Sequence, residues 1–453
     1  MRQLPLFAVL VPGVTMHNTG LAREPIGRLY EGGRLADALR DARARTLAIY
    51  AHLDLGALQV PYLGVVNPPL WELAHIAWFQ EYWCLRYSPQ SGGPARASML
   101  ADADAMFDSA RVEHRSRWHL PYPPARALYG YIEASLAATL DALQKTPEGE
   151  RYFFQLALLH EDMHGEALLM TLQTLGLPAP GIATRQPVVH SPRAARDVRF
   201  EGGEFSQGSD RGAGDFVFDN EKWSHPVKVA PFSMASATTT QGEFAAFVDG
   251  GGYARREFWT EEGWAWRVRE DRSAPRHWKR DASTWLARRF DRWAPIEAAL
   301  PMVHVSLHEA LAFCAWAGRR LPTEAQWELA ARNGGRGDRY PWGDTPIEDN
   351  AALDFRHLGA CNEPTAATRS RLGLDQLLGG VWEWTASPFD PYPGFAADPY
   401  KEYSEPWFHS HYVLRGGSFA TRARLVHSRF RNFYLPERDD VFAGLRTCAI
   451  ESP

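Results

Sequence analysis

Three histidines of this chain have the residue type and the spacing of a metal-binding set. His160 and His164 are four residues apart in LALLHEDMHGEALLMTLQ, and a helix, at about 100° per residue, places them one turn apart on one face. Two imidazoles leave a metal ion in need of further ligands, and His75 in WELAHIAWF is the upstream candidate. We therefore predict a metal site formed by these three histidines. Glu166 projects about 200° from His164 on the same helix, so we expect it to support the site without binding the metal.

A bare HxxxH pair is also compatible with ordinary core or surface histidines on an amphipathic helix. The third histidine, and the family resemblance given below, favour the metal site over that reading. Ligand geometry alone does not choose the metal, since neutral imidazoles bind both iron and zinc.

Four long helices are predicted to position these histidines. Apolar periodicity places them at residues 34–53, 67–87, 125–144 and 148–176. We expect the second to start with Asn67 as its cap, followed by prolines suited to a first turn, and the fourth to end at Gly176. Four such helices indicate an antiparallel bundle, in which the second helix can face the fourth.

The residue composition and the hydrophobic periodicity of the chain change after this bundle. We predict three parts: a helical bundle over residues 1–180, a proline-rich linker over 181–196, and an irregular α+β domain over 197–453. Thirteen of the 17 tryptophans follow residue 200, with many glycines and only short amphipathic pieces. Those pieces are QGEFAAFVDG, SLHEALAFCAWAGR and PTEAQWELAAR.

Composition excludes several classes of protein. The 49 basic and 54 acidic residues give a net charge of -5 without a long basic run, which argues against nucleic acid as a partner. The four cysteines have no CxxC spacing, which argues against a zinc ribbon or a disulfide framework and fits a reducing cytoplasm. Proline and glycine interrupt the apolar start MRQLPLFAVLVPGV, so we expect no signal peptide, and no apolar run approaches the ~20 residues of a membrane span.

Several phrases of the C-terminal half are more specific than composition. They are GRRLPTEAQWELAAR, YPWGD, GLDQLLGGVWEWTASPF, VLRGGSF and RFRNFYLPERDDVFAGLRTC. Together they resemble the formylglycine-generating-enzyme fold, a scaffold related to C-type lectins. Formylglycine enzymes bind copper through a cysteine pair soon after the RGGS phrase. The stretch after Ser418, FATRARLVHSRF, has no cysteine, so that copper chemistry is excluded here.

A DinB-like bundle joined to this scaffold resembles the ergothioneine-synthase group of non-haem iron sulfoxide synthases. The resemblance implies that His75, His160 and His164 hold Fe(II), and that O2 drives bond formation at the imidazole C2 of hercynine. Within the group, VNPPLWELAHIAWFQEYWCLRY, SMLADADAMFDSARV and HEDMHGEALLMTLQTLGLPAP most resemble the selenoneine synthases of the SenA type. Those enzymes attach selenium from a selenosugar to hercynine.

The same resemblance assigns roles to residues of the C-terminal domain. Tyr400 matches the catalytic tyrosine that donates a proton during the oxygen chemistry, and a phenol with a pKa near 10 remains protonated at neutral pH. Tyr403, Asn432 and Phe433 match positions that line the hercynine pocket, where aromatic faces suit a trimethylammonium group. The alternative for the tyrosines is that they pack a loop, and for RNF that it is a scaffold phrase.

The donor positions depart from one branch of the family. Synthases that use γ-glutamylcysteine grip it with an Asp and an Arg four residues apart, where this chain has Tyr434 and Arg438. An amino-acid donor would lose a charge-assisted contact of ~1.5–3 kcal/mol, which favours a sugar donor. Cysteine-using members also lack that Asp. In SARVEHRSR, Arg111, Arg115 and Arg117 lie near donor-binding positions, and we expect at least two of them to be solvated.

Two alternatives to a selenoneine synthase remain. One is an ergothioneine synthase that forms hercynyl sulfoxide from cysteine or γ-glutamylcysteine. The other is a ligand-binding protein stabilised by zinc. We also expect Trp382 and Trp384 to be scaffold core, and the charged cluster RRFDRW at 288–293 to lie on the surface.

Overall fold

A computed structural model describes residues 33–450 apart from 184, 188, 190–194, 212–215, 346–351 and 362–368. The apolar N-terminal run and part of the predicted linker lie outside the described residues. Across the part that is described, no helix is long and apolar enough to cross a membrane. The four cysteines are free thiols.

The N-terminal half is a bundle of four long helices, as the periodicity predicts. The long helices are α1 (Arg34–Tyr50), α2 (Pro69–Glu81), α4 (Ala125–Lys145) and α5 (Tyr152–Leu175), and the short helix α3 (Ala103–Phe107) lies between α2 and α4 in the chain. Helix α1 packs against α5, and α2 packs against both α4 and α5. Helices α2 and α5 are buried on almost every side, because the second domain covers the face that the bundle leaves open. Gly176 ends α5 with a positive φ of 68°, as expected.

The start of α2 differs from the prediction. Pro68 occupies the cap position, and no side chain caps the helix. The side-chain oxygen of Asn67 instead accepts a hydrogen bond of 2.7 Å from Arg117. The prediction that Asn67 caps this helix is therefore wrong, because its side-chain amide is hydrogen-bonded to Arg117 instead. Helix α2 continues into one π-helical turn, Tyr82–Arg86, and a hairpin of β1 (Tyr87–Ser88) and β2 (Gly93–Pro94) follows.

The described part of the C-terminal half contains short strands in four sheets. The strands are β3 (Asp197–Phe200), β4 (Gly203–Gln207), β5 (His225–Val229), β6 (Phe232–Ala235), β7 (Trp278–Asp281), β8 (Thr284–Arg289), β9 (Arg292–Pro295), β10 (Arg319–Arg320), β11 (Trp382–Pro388), β12 (Tyr412–Arg415), β13 (Asn432–Tyr434), β14 (Ala443–Gly444) and β15 (Cys448–Ala449). The sheets have the orders β10-β15-β6-β3, β13-β12-β11-β14, β4-β5 and β7-β8-β9.

Among the residues described in this half, four α-helices accompany these sheets: α6 (Gln241–Asp249), α7 (Glu261–Arg269), α8 (Leu307–Trp316) and α9 (Glu324–Ala331). Three of them are the predicted amphipathic pieces, and α7 was not predicted. Helices α6, α8 and α9 each begin with a capping box, in which a Ser or Thr side chain and a Glu or Gln three residues later satisfy each other's backbone donors. These local bonds explain why the short helices were recognisable from sequence.

Large aromatic side chains form the core of this domain, as expected. Trp382 and Trp384 are fully buried, and Trp384 donates a hydrogen bond to the carbonyl of Val305. The RGGS phrase makes a tight turn after β12. Gly416 there has a φ of 98°, and a Cβ on it would lie 2.5 Å from the carbonyl oxygen of Leu377, so only glycine fits.

The charged cluster at 288–293 is not simply surface, which corrects the expectation. Phe290 is buried, and Arg288 donates a hydrogen bond of 3.1 Å to the carbonyl of Thr174 in α5. The side chain of Gln173 also bonds to the backbone of both. The sheet β7-β8-β9 folds back onto the end of α5, so the turn between β8 and β9 becomes part of the contact between the domains.

Candidate metal centre

The structure brings the three predicted histidines together between α2 and α5. His75 comes from α2, and His160 and His164 come from adjacent turns of α5. A ligand atom from each lies within 4.8 Å of the others, and this is a metal-type cluster found among the described residues. Glu166 is not a member of it, in agreement with the angular argument.

Hydrogen bonds orient two of the imidazole rings. Nδ1 of His75 donates to the carbonyl oxygen of Phe107 at 2.8 Å. Nδ1 of His164 lies 2.8 Å from the carboxylate of Glu72, which is buried. Because each Nδ1 is engaged, the lone pair of Nε2 is the one left to bind a metal. This outer hydrogen bonding is the usual support of metal-bound histidine.

The third ring, His160, is held by packing. It stacks on Phe79 with ring centroids 3.5 Å apart and planes 2° apart. It makes no hydrogen bond with the residues that the structure describes, although its Nδ1 is buried. Burial holds the pKa of His160, and that of His75, well below the usual value of 6.5. The rings are therefore neutral at neutral pH, which is the form that binds metal ions.

The set fits a metal ion that must keep open positions. Three neutral imidazoles on an octahedral ion leave three positions for substrates. Iron and zinc both suit these donors, so the geometry supports a reactive metal without choosing it.

Glu72→Gln is expected to weaken metal affinity by about 10- to 100-fold. The amide can still occupy the site beside His164, but it lacks the negative charge that makes the imidazole a better donor. Anaerobic titration against a competing chromophoric chelator measures the affinity. Glu133→Gln, an exposed change on α4, is the matched control. Equal affinities for the two variants would contradict a role for Glu72.

The C-terminal domain places two tyrosines, Tyr400 and Tyr403, on the side of the histidine cluster that it covers. We call this pair the tyrosine wall. The ring of Tyr400 meets Phe79 edge-on at 4.9 Å, and its centroid lies 6.2 Å from that of His160. Burial, and then the carboxylates of Glu402 and Asp108, hold the pKa of Tyr400 above its usual value. Tyr400 is therefore a neutral phenol at neutral pH.

Tyr403 lies next along this wall. Its hydroxyl donates to the sulfur of Met163 at 3.7 Å, one residue before His164 in α5. Its ring stacks on Phe218 with centroids 4.3 Å apart. Phe433 of β13 approaches the same ring edge-on at 5.8 Å. The predicted residues Tyr403 and Phe433 thus form one aromatic surface, which reaches α5 at Met163.

The recorded partners of Asn432, Tyr434 and Arg438 are residues other than the histidines. The side-chain oxygen of Asn432 accepts the backbone N–H of Phe433 at 2.8 Å. Arg438 lies over the ring of Tyr434 at 5.1 Å and makes two hydrogen bonds, of 2.6 and 2.7 Å, to Asp440. Within the described part of the chain, none of the three makes a hydrogen bond or ring contact with His75, His160 or His164.

Helix α5 also fastens the two domains together beside the site. Glu166 accepts hydrogen bonds from Trp382 at 2.9 Å, Ser418 at 2.5 Å and Thr421 at 2.7 Å. Asp162 forms a bidentate ion pair of 2.5 and 2.7 Å with Arg424. Glu166 is thus a structural carboxylate, as predicted. The turns of α5 that carry the histidines also hold the domain that carries the tyrosines.

Comparison with known proteins agrees with this architecture. A model of the DinB superfamily matches residues 38–169, and a model of the sulfatase-modifying factor enzyme 1-like domain matches residues 184–450. The chain is 37% identical over 427 residues to a hercynine oxygenase of Mycolicibacterium thermoresistibile, covering 91% of this chain and 94% of the relative. This chain belongs to the hercynine oxygenase family. The predicted fold class, a DinB-like bundle followed by a formylglycine-generating-enzyme-like domain, is confirmed.

Two further relatives show how far the likeness extends. A hercynine oxygenase of Mycobacterium tuberculosis is 37% identical over 424 residues, covering 91% of this chain and 98% of the relative. A formylglycine-generating enzyme of Streptomyces coelicolor is 32% identical over 282 residues, covering 57% of this chain and 88% of the relative. The hercynine oxygenases therefore match both domains together.

The three arginines predicted to lie near the donor positions, Arg111, Arg115 and Arg117, differ in their surroundings. Arg111 and Arg115 are exposed, in agreement with the expectation for at least two of the three. Arg117 is buried and stacks over Trp71 at 4.0 Å. Trp71 in turn stacks on His75, with ring planes 4° apart. Arg117 thus supports the metal-site histidine through Trp71.

Sequence reasoning missed several residues of the site. Glu72 precedes His75 by three residues on α2, a spacing that places both on one face and could have identified it. Phe79, one turn after His75, carried the same signal. Asp162 and its partner Arg424 are 262 residues apart, and no local pattern connects them.

Proposed function

We propose that this chain is an Fe(II)- and O2-dependent enzyme that joins a selenosugar of the 1-selenoglucose type to the imidazole C2 of hercynine, in selenoneine biosynthesis. The observation that carries the proposal is the placement of a neutral phenol, Tyr400, beside a cluster of three imidazoles. His75, His160 and His164 would hold the Fe(II). When bound, the ion would supply the redox chemistry with O2, with positions left for substrates.

The aromatic surface supports hercynine as one substrate. A trimethylammonium group cannot donate hydrogen bonds and is bound best over aromatic faces. Tyr403 and Phe433 offer such faces within one cluster. Because the oxygen of Asn432 is taken by a backbone N–H, its amide nitrogen is the end that can donate to the carboxylate of hercynine.

The surroundings of Arg438 support an uncharged donor. Its guanidinium already makes two charge-assisted bonds to Asp440, which is buried. Tyr434 replaces the carboxylate that would pair with the ammonium group of an amino-acid donor. A sugar needs neither charge, and the phenol of Tyr434 can bond to a sugar hydroxyl.

A donor panel tests the proposal. The Fe(II)-loaded protein is incubated aerobically with hercynine and, separately, selenoglucose, thioglucose, cysteine or γ-glutamylcysteine, and products are followed by mass spectrometry. We expect a hercynine–selenosugar product that requires both iron and oxygen. Turnover of γ-glutamylcysteine without any selenosugar product would show an ergothioneine synthase instead. Zinc in the anaerobically purified protein, without oxygen uptake on adding substrates, would indicate a ligand-binding protein.

Tyr400→Phe is expected to lower the rate of carbon–chalcogen coupling by about 10²- to 10⁴-fold, the usual effect of losing a general acid. The substitution removes only the hydroxyl and keeps the contact with Phe79, so iron binding should be unchanged. Product formation and iron content are measured on the same preparation. Tyr129→Phe, on α4, is the control. An unchanged rate and product distribution would remove Tyr400 from the mechanism.

A further inference from the structure

A cavity of about 240 Å³ lies where the end of α5 meets the sheet β7-β8-β9. Its lining includes Gln173 of α5, Arg288 and Arg289 of β8, and two histidines, His277 and His304. None of these residues belongs to the metal centre or its tyrosine wall. The cavity is therefore a separate feature of the contact between the domains.

His277, one of the lining residues, has an unused hydrogen-bond donor. Arg288 lies 3.1 Å from its Nδ1, and a guanidinium can only donate, so Nδ1 accepts and the proton is on Nε2. That Nε2 is buried and has no hydrogen-bond partner among the described residues. Burial and the neighbouring His304 hold the pKa of His277 well below its usual value, so the ring is neutral. A buried N–H group without an acceptor calls for a ligand atom.

Two of the three arginines of the lining, Arg288 and Arg289, carry positive charge that no ion pair with a described residue neutralises, and the third, Arg292, is exposed. Arg288 donates to the carbonyl oxygens of Thr174 and Phe290, and not to a carboxylate. Arg289 is largely buried and makes no hydrogen bond or ion pair within the described part of the chain. Glu297 is the carboxylate of the lining; it is exposed to solvent, and its charge acts on Arg289 without forming an ion pair. The charge of the enclosed part is therefore positive, which favours an anion.

The remaining lining is largely apolar and includes Phe290, Leu300, Phe419 and Phe442. A fully hydrated inorganic anion gains little from such surfaces, whereas the carbon skeleton of an organic acid does. We propose that this cavity binds a small organic carboxylate, with its oxygens at the guanidinium of Arg289 and Nε2 of His277 and its carbon skeleton against Phe419 and Phe442.

The cavity also touches the proposed donor side of the metal centre. Nδ1 of His304 donates to the carbonyl oxygen of Asp440 at 3.2 Å, and the side chain of Asp440 holds Arg438. A carboxylate bound here would thus lie behind the Arg438–Asp440 pair. The binding proposal itself does not depend on which substrates the metal centre uses.

Isothermal titration calorimetry of the full-length protein, with benzoate as the probe, tests the site. We expect saturable binding that is weakened at least about tenfold in Arg289→Gln, which loses a charge-assisted bond. His277→Phe, which keeps the ring but loses the donor, should weaken binding as well. Arg126→Gln, an exposed change of the same charge, should leave the affinity unchanged. Inorganic phosphate is titrated in parallel.

Binding should persist in His160→Phe and after treatment with a chelator, which separates this cavity from the metal centre. Loss of benzoate binding in His160→Phe would instead place the probe at the metal centre and overturn the proposal. An affinity in Arg289→Gln equal to that of the unchanged protein, the absence of saturable binding, or a response to phosphate alone would each overturn it too. Because Arg289 is bonded to no described residue, its variant should fold even if His277→Phe does not.

Discussion

Replacing His160 with phenylalanine is expected to abolish stoichiometric Fe(II) binding. Substrate turnover should fall more than about a hundredfold, because losing a ligand costs more than losing a hydrogen bond that orients a ligand. The ring of His160 is positioned by stacking on Phe79 and makes no hydrogen bond with the described residues. Phenylalanine keeps an aromatic ring that can stack on Phe79 and removes both nitrogens. The variant therefore separates metal binding from folding more cleanly than alanine would.

Iron content after anaerobic loading, product formation and thermal unfolding are measured together. His119→Phe, an exposed histidine outside the cluster, serves as the control and should behave as the unchanged protein. Near-stoichiometric iron in His160→Phe would show that this residue is not a ligand. Loss of iron together with a large fall in thermal stability would show instead that the ring is mainly structural.

Replacing Arg424 with methionine is expected to lower the free energy of unfolding by about 3–5 kcal/mol, the usual effect of breaking a buried pair. Arg424 and Asp162 are almost completely buried and joined by two short hydrogen bonds. The single change leaves the carboxylate of Asp162 without its main partner in the interior. Because Asp162 lies between His160 and His164 on α5, we expect metal affinity to fall as well.

Urea unfolding of the apo protein measures this change. The double variant Arg424→Met with Asp162→Leu should recover most of the lost stability, since Asp162 is then not left unpaired and Asp41, which also bonds Arg424, keeps its bond to Arg422. Arg40→Met, which breaks an exposed pair with Asp37, should change stability by less than about 1 kcal/mol. If the double variant were no more stable than the single one, the loss would come from packing and not from the unpaired charge.

Much of the fold was predictable from sequence, because the deciding interactions are local. The four bundle helices have apolar periodicity, and Gly176 ends α5 as expected. The helices α6, α8 and α9 carry capping boxes closed within four residues. The helix α7 was not predicted, although the side chain of Thr260 caps it. Its nine residues include few apolar and several charged side chains, so no apolar periodicity is visible in the sequence.

Two predictions about polar side chains were wrong, because the partners of these side chains depend on which parts of the chain pack together. Asn67 fits a helix cap locally, yet bonds to Arg117, 50 residues away. The cluster at 288–293 looks solvated in sequence, yet Arg288 bonds to α5, 114 residues away. In both cases the side chain can satisfy its hydrogen bonds in several ways, and the tertiary structure selects one.

The sequence by itself determined the histidine pair, its helix and the exclusion of Glu166 from the ligand set, since helical geometry fixes the angles between residues a few positions apart. Only the tertiary structure decided that His75 meets that pair, that Glu72 orients His164, and that Tyr400 closes over Phe79. Those contacts join elements up to some 300 residues apart. Their geometry follows from how the two domains pack, which no spacing along the chain encodes.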